Sequence, residues 1–579
     1  MKFITKIFVV ALFAAAFSAC DNTELALQEN PNAITADKAS VNDLYNSIQL
    51  TFSGFISGLQ GTDGPGGMAR MYNSNNSFSY DATIAPTTLS GLWFNAYSGM
   101  YPDIEALDVI AAERGLDIHS GSSKIMKAYT LMAMVDVFGN IPFSEAGKGT
   151  DIIAPVADPG ESVYDAAIAL LDAAIAQLDG TTAAAPANDI IYGGDAAKWI
   201  TAAKTLKLRA AVTTRLTDPS GAASVINDLV SDGDLISDAS QDFQWNYGNQ
   251  RTNPNSRHPF YNNHYELGDG VYLSNYYMWL LRADKEDMDG NAVIDPRIRF
   301  YFYRKVEKAE AQDQTTYSCH FSALPDKTTT AGAIAHYDAV DPDLPYCIVI
   351  PGDGYSGRDH MNGEGIPPDG PIRTSFGLYP AGGQFDLSGF VDSRQQGTTG
   401  GMGQGIWPIM TASFTDFLRA EAALTVGTTD DAKALLESGI RKSISKVFSF
   451  TSLVSGTMST IIDARPCSGT SVQDCFVPSD EDVEAYVQFV MDEYDAADDK
   501  LNIVMREYYI ALWGNGLEAY NMFRRTGKPN NMQPAIEPAP GDFPVSYLYP
   551  DVYIQRNKNA TQKAITDRVF WDDGSAKVY

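Results

Sequence analysis

The chain has 579 residues and carries 42 basic against 72 acidic side chains, a formal net charge of −30 at pH 7. So acidic a surface argues against nucleic acid and against anionic lipid as partners held by charge. The length exceeds what one core usually organises, so one very large helical domain or two to three subdomains are expected.

At the N-terminus, Lys2 and Lys6 precede an apolar run, 7–17, that meets Ser18-Ala19-Cys20. The run is too short for a membrane span of ~20 residues and has the length of a signal-peptide core. Small residues followed by Cys read as a lipoprotein cleavage site, with Phe17 where the usual lipobox has Leu, Val or Ile. Several acyl chains on Cys20 would hold the chain durably on a membrane. The alternative is an ordinary cleaved signal with an incidental Cys. Residues 1–19 therefore read as signal peptide, and the polar stretch 20–33 as a lipidated, flexible tether.

Residues 34–239 form an N-terminal helical region. Helices are predicted over 41–59, 97–114, 122–138, 162–178, 195–216 and 222–230. In the fourth, Tyr164, Ile168, Leu171, Ile175 and Leu178 recur at helical spacing, with alanines between them. In the fifth, Trp199, Leu206, Ala210 and Thr213 share one side, leaving Lys198, Lys204, Lys207 and Arg215 exposed. These two helices start about 33 residues apart, loosely matching the ~34-residue tetratricopeptide period.

The middle, 240–405, is rich in Gly, Pro, Asn, Asp and aromatics, with turn signals such as Pro351-Gly-Asp-Gly354 and Tyr379-Pro-Ala-Gly-Gly383. It reads as a loop-rich insertion, and loops this long are usually functional. The acidic stretch 284–295 fails an EF-hand register, because Lys285 and Pro296 would fall on ligand positions. No metal and no cofactor are expected. The C-terminal region, 406–579, is helical again over 414–426, 430–447 and 480–525, with Ser479 as an N-cap and Gly514 and Gly516 interrupting the last stretch. Four further cysteines suit an oxidising compartment: Cys319, Cys347, Cys467 and Cys475. Local pairs, 319 with 347 and 467 with 475, are the simplest of three connectivities.

Six motifs in order resemble the SusD/RagB family, its SusD-like branch, over nearly the full length. They are Asn30-Pro-Asn-Ala-Ile-Thr-Ala-Asp37, the 128–146 segment AYTLMAMVDVFGNIPFSEA, and Trp199 with Lys204-Thr-Leu-Lys-Leu-Arg209. Asp295-Pro-Arg297, Leu418-Arg-Ala-Glu-Ala422 and the 509–529 segment YIALWGNGLEAYNMFRRTGKP follow. Lys204 stands where the family has Asn. The resemblance implies an all-α fold: a tetratricopeptide-like helical-pair solenoid scaffold carrying the insertion. It also implies a surface-exposed, lipid-anchored outer-membrane protein. Such a protein lies as a lid on a TonB-dependent SusC/RagA-type barrel, capturing oligosaccharides or peptides, without catalysis.

The motif residues on helices read as scaffold; Glu421 and Glu518 are expected to pair with Arg209 or Arg524, and Trp199 and Trp513 to lie in the core. Aromatics on loops are the binding candidates, because an apolar sugar face stacks on a ring while hydroxyls take polar partners. They are Tyr72, Trp93 with Asn95 and Tyr97, then Tyr261, Tyr265, Tyr272 and Trp279, and the loop holding Tyr355, Arg358 and His360. The alternative is that these rings knit together a region short of aliphatic core. There is no H-E-x-x-H, G-x-S-x-G or P-loop motif. A surface glycan hydrolase and a scaffold binding only protein remain the rival functions.

Overall fold

A computed structural model describes residues 40–74, 77–268, 271–308, 335–350, 353–364, 369–392, 397–454 and 476–578. Cys20 and the tether, the 30–37 motif and Cys319, Cys467 and Cys475 lie outside them. The N-terminal region holds α1 (Val41–Leu59) and β1 (Tyr72–Asn73), then α2 (Ser90–Phe94), α3 (Tyr101–Arg114) and α4 (Asp117–Phe138). It continues with α5 (Gly160–Leu178), α6 (Ala196–Thr214) and α7 (Pro219–Asp232). Successive helices pack side by side: α4 on α5, α5 on α6, α6 on α7. That is the helical-pair scaffold expected.

The reasons are local. Ser40 accepts from the Asp43 N–H while the Asp43 carboxylate reaches back to Ser40, a capping box that starts α1 at its predicted first residue. On α5 the buried stripe is Val163, Tyr164, Ala167, Leu171, Ala174 and Leu178. Its centre lies one step from the predicted one, because the alanines make the contact and let neighbouring helices come close, while Ile168 and Ile175 flank it half-buried. Helix α4 is buried over nearly its whole circumference and forms the spine of this half.

The insertion begins and ends at one place. Strand β2 (Phe243–Asn246) pairs antiparallel with β6 (Ile406–Met410), Trp245 opposite Trp407. Between them lie β3 (Tyr272–Leu273), paired with β1, then α8 (Asn275–Arg282), and β4 (Phe302–Tyr303), paired with β5 (Ser375–Phe376). The C-terminal region adds α9 (Ala412–Thr425), α10 (Ala432–Phe448), α11 (Asp480–Ala496), α12 (Lys500–Ala511), α13 (Gly516–Thr526) and the short α14 (Asp551–Ile554). Gly516 begins α13 because its backbone touches backbone: an added Cβ would sit 2.4 Å from Gly66 Cα. One contiguous hydrophobic core runs from Val41 to Trp571.

The shared motifs meet inside this core. Asp136 of the 128–146 segment accepts from Arg209 Nη2 at 2.6 Å, Asn521 Nδ2 at 2.8 Å and Trp571 Nε1 at 2.9 Å. Arg209 also pairs with Glu518, as expected. Glu421 instead pairs with Arg525 and Arg215. Arg215 is thus buried rather than exposed, and Arg524 turns to the carbonyls of Val545 and Asp136. Asp295 holds Arg297 through two bonds of 2.8 and 2.6 Å and accepts from Tyr486 of α11, tying the insertion to the C-terminal helices. Trp199 and Trp513 are fully buried.

Candidate functional site

Helix continues without a break from Ser90 to Arg114 through a π-turn at Asn95–Met100. Such a turn carries one extra residue and re-aims the side chains around it, frequently at functional sites. The Asn95 amide lies against α1, where Gly54 leaves it room: an added Cβ would stand 3.2 Å from Asn95 Nδ2. Trp93 packs edge-on against Phe138 with ring centroids 5.4 Å apart, and tilted against Tyr97 at 4.9 Å and Tyr553 of α14 at 4.7 Å. Tyr97 continues the row to Tyr101 at 5.4 Å and donates its hydroxyl to the Pro142 carbonyl at 2.6 Å.

The facing wall is the turn after α4. Asp158 accepts from the N–H groups of Phe143 and Ser144 at 2.7 and 2.9 Å and from the Ser144 hydroxyl at 2.6 Å. Burial alone would raise this carboxyl's pKa; the bonds from Ser144 and Phe143 hold it below the usual value. The turn is thereby fixed and presents Phe143. Tyr97, Tyr101, Pro142, Phe143 and Gly147 line a small open cleft with Glu105 and Lys127. Lys127 Nζ lies 3.7 Å from Glu105 Oε1 and 5.1 Å from the Tyr101 ring centroid. Apolar ring surface beside a few polar groups is the usual make-up of a small-molecule site.

The sequence-derived candidates fall into two groups. Trp93 and Asn95 belong to the wall behind this cleft, Trp93 buried and Asn95 half-buried. The others lie in and under the insertion, and all are buried. Tyr72 sits among Phe260, Phe376 and Trp513. Tyr261 and Tyr265 stack at 4.7 Å and donate to the carbonyls of Thr399 and Phe376. Trp279 stacks on Tyr276, Tyr355 lies under the Arg304 guanidinium, and the His360 ring is 3.1 Å from the Tyr80 hydroxyl. Tyr272 and Arg358 are brought together, Cζ 4.0 Å from the ring centroid. This burial differs from the loop exposure expected, because a region with few aliphatics builds its core from rings. Tyr101, Glu105, Lys127 and Phe143 were not singled out. Tyr97, Tyr101 and Glu105 at i, i+4 and i+8 are the signal that finds them.

In the acidic loop, Asp287 accepts from the N–H groups of Asp289 and Asn291 at 2.9 and 2.8 Å, so its carboxylate closes a turn. Among the described residues, no group of three acidic, His or Cys side chains is placed to hold a metal, and no helix is long and apolar enough to cross a membrane. Cys347 is disulfide-bonded; its partner lies outside the described residues.

Two family models match the chain. One, described as "Starch-binding associating with outer membrane", covers residues 65–349, and the other, "Susd and RagB outer membrane lipoprotein", covers 400–579. The chain belongs to the SusD/RagB family. Solved structures of SusD/RagB proteins share its helix-rich fold. A SusD/RagB family protein from Bacteroides thetaiotaomicron aligns at 17% identity and TM-score 0.61, covering 93% of this chain and 100% of that one. A protein titled chitin-binding aligns at 17% identity and TM-score 0.61, covering 92% and 100%. A chitin-binding SusD homolog from Flavobacterium johnsoniae aligns at 20% identity and TM-score 0.52, covering 84% and 86%. No curated protein matches the chain. SusD/RagB membership makes this a member of a family of nutrient-binding outer-membrane lipoproteins.

Proposed function

We propose that this SusD/RagB protein is held on the outer surface of the outer membrane through Cys20, binds an oligosaccharide, and passes it to a TonB-dependent SusC/RagA-type barrel without chemical change. The observation that carries the reading is the cleft between the π-turn and the family's own 128–146 segment. There Tyr97 and Phe143 supply apolar ring surface and Glu105 and Lys127 supply hydrogen-bonding charge. Residues 34–239 and 406–579 act as the scaffold, and 240–405, whose two ends meet at the β2–β6 pair, as the insertion. The chitin-binding titles of two structural relatives favour a glycan over a peptide.

The test is calorimetric titration of residues 34–579 against a panel of oligosaccharides and peptides, with the mixtures analysed for products. The reading expects saturable binding of a glycan, no product, and affinity reduced at least tenfold by Glu105→Ala. Released product would turn the assignment to a hydrolase, and absence of binding to a protein-only scaffold. Cys20→Ala is expected to move the protein from the membrane fraction to the soluble one.

A further inference from the structure

Within the insertion, a second group of side chains has the makings of a site for a different chemical group. Residues 355–358 run directly against β3: the Arg358 N–H donates to the Leu273 carbonyl at 3.0 Å and the Asn275 N–H to the Arg358 carbonyl at 2.9 Å. Gly357 permits this approach, since an added Cβ there would stand 2.1 Å from the Leu273 oxygen. The pairing sets Arg358 beside Tyr272. Its guanidinium carbon lies 4.0 Å from the centre of that ring and the Arg373 guanidinium carbon 4.5 Å from it. Lys305 is also buried close by, donating to the Gly370 carbonyl at 3.2 Å.

Of the acidic side chains here, Asp369 is already engaged. Both oxygens of Asp369 accept from the Tyr272 hydroxyl, at 2.7 and 2.8 Å. Arg358, only 1% exposed, makes one long bond among the described residues, Nη1 to the Asn362 carbonyl at 3.5 Å, while its Nε and Nη2 have no hydrogen-bond partner there. Burial pulls its pKa below the usual arginine value, more than Tyr272, Asp369 and Glu364 restore it. A buried guanidinium with an unmet edge is costly to the fold alone. In a chain of net charge −30 it gathers beside two other cations. Glu364 and Pro371, close to these residues in the chain, are exposed.

We infer that Arg358, with Arg373 over the Tyr272 ring, forms a subsite for a carboxylate group carried by the captured solute. The Nε and Nη2 edge of Arg358 matches the two oxygens of a carboxylate. The group is either the acid of a uronic-acid sugar or the C-terminus of a peptide. The inference rests on the reading that the protein captures a solute, and adds an acidic residue to that solute.

The experiment titrates the protein with trigalacturonic acid, with its neutral galactose counterpart, and with a tripeptide bearing a free or an amidated C-terminus. Binding of either carboxylate probe, at least tenfold tighter than its uncharged counterpart, supports the subsite, and the probe that binds names the source. Arg358→Met should abolish this preference while leaving the melting temperature of the unliganded protein unchanged or raised, since it removes an unmet buried charge. Arg358→Lys should keep a weakened preference. No preference for either carboxylate, or an undiminished one in Arg358→Met, overturns the inference. A neutral glycan that binds wild type and is weakened by Glu105→Ala, with neither carboxylate probe preferred over its uncharged counterpart, sinks the subsite and leaves the proposed function standing.

Discussion

Arg525 donates from Nε and Nη2 to the two carboxylate oxygens of Glu421, each at 2.8 Å, with both side chains fully buried. Arg215, just past α6, lies 3.0 Å from the same Glu421 Oε1. One carboxylate therefore compensates two buried guanidinium groups and joins α9, α13 and the end of α6. Glu421→Gln leaves both cations uncompensated, and losing one partner of a buried pair costs about 3–5 kcal/mol. Urea unfolding should show a midpoint lowered to match. Burial alone would raise the Glu421 pKa; Arg525 and Arg215 hold it below the ordinary glutamate value. The contribution is thus complete above about pH 4.3, the ordinary value, and disappears as pH falls through the lower folded-state value. Acid unfolding of Glu421→Gln should be correspondingly less steep.

Four buried imidazoles make a second pH dependence. His119, His258, His264 and His360 are all less than 4% exposed, and burial pushes each downward, His258 to about 3. Arg373 and Lys305 add to the shift at His264, and Arg70 at His360. Below the unfolded value of about 6.5 the unfolded chain takes up protons that the folded one refuses. Stability is therefore full above that pH and falls below it, by about 1.4 kcal/mol per pH unit for each imidazole. Melting scans at pH 7.5 and 5.5 should differ clearly, the acidic sample melting first. Equal melting temperatures would falsify the neutral buried assignment.

Where the sequence was legible, single residues show why. Helix α1 begins where it was expected because the apolar stripe starts at Val41, one residue after a capping Ser40. The stretch 480–525 was expected to be interrupted only at Gly514 and Gly516, but it also breaks after Ala496. There Asp499 accepts from the Asn502 N–H and starts α12 with neither Gly nor Pro nearby. The helix expected over 97–114 begins earlier, because a π-turn carries no compositional mark. Near the cleft, sequence pattern singled out Trp93, Asn95 and Tyr97 but not which face of α3 meets the turn after α4, since that depends on tertiary packing. In 240–405 it could not separate a ring stacked for a ligand from one stacked on another ring. Tyr261 and Tyr265 are of the second kind in the described chain.

The disulfide at Cys347 has a partner that peptide mapping can name. Local pairing predicts a reducible link between the peptides holding Cys347 and Cys319, seen when the digest is run without reductant and lost when it is added. A link to the Cys467 or Cys475 peptide refutes that connectivity. In either case reduction should lower stability by about 2–4 kcal/mol, the usual worth of a native bridge.

Stability and ligand capture should separate at two neighbouring positions. Trp93 is enclosed by Tyr97, Phe138, Tyr549 and Tyr553. Trp93→Ala deletes that ring from a packed cluster and should cost about 3–5 kcal/mol through the cavity it leaves. Tyr97 leans on Trp93 and lines the cleft, so the same variant should also weaken glycan binding. Glu105 has a side chain 58% exposed on the cleft rim, and truncating such a residue shifts stability by only about 0.5 kcal/mol. A hydrogen bond from its carboxylate to a sugar hydroxyl is worth about 1.5–3 kcal/mol, so Glu105→Ala should lose at least tenfold in affinity at unchanged stability. Chemical denaturation and calorimetry on the two variants check this directly. Binding that survives Glu105→Ala while Trp93→Ala loses both would make the aromatic row a structural prop, and would move the ligand away from this cleft.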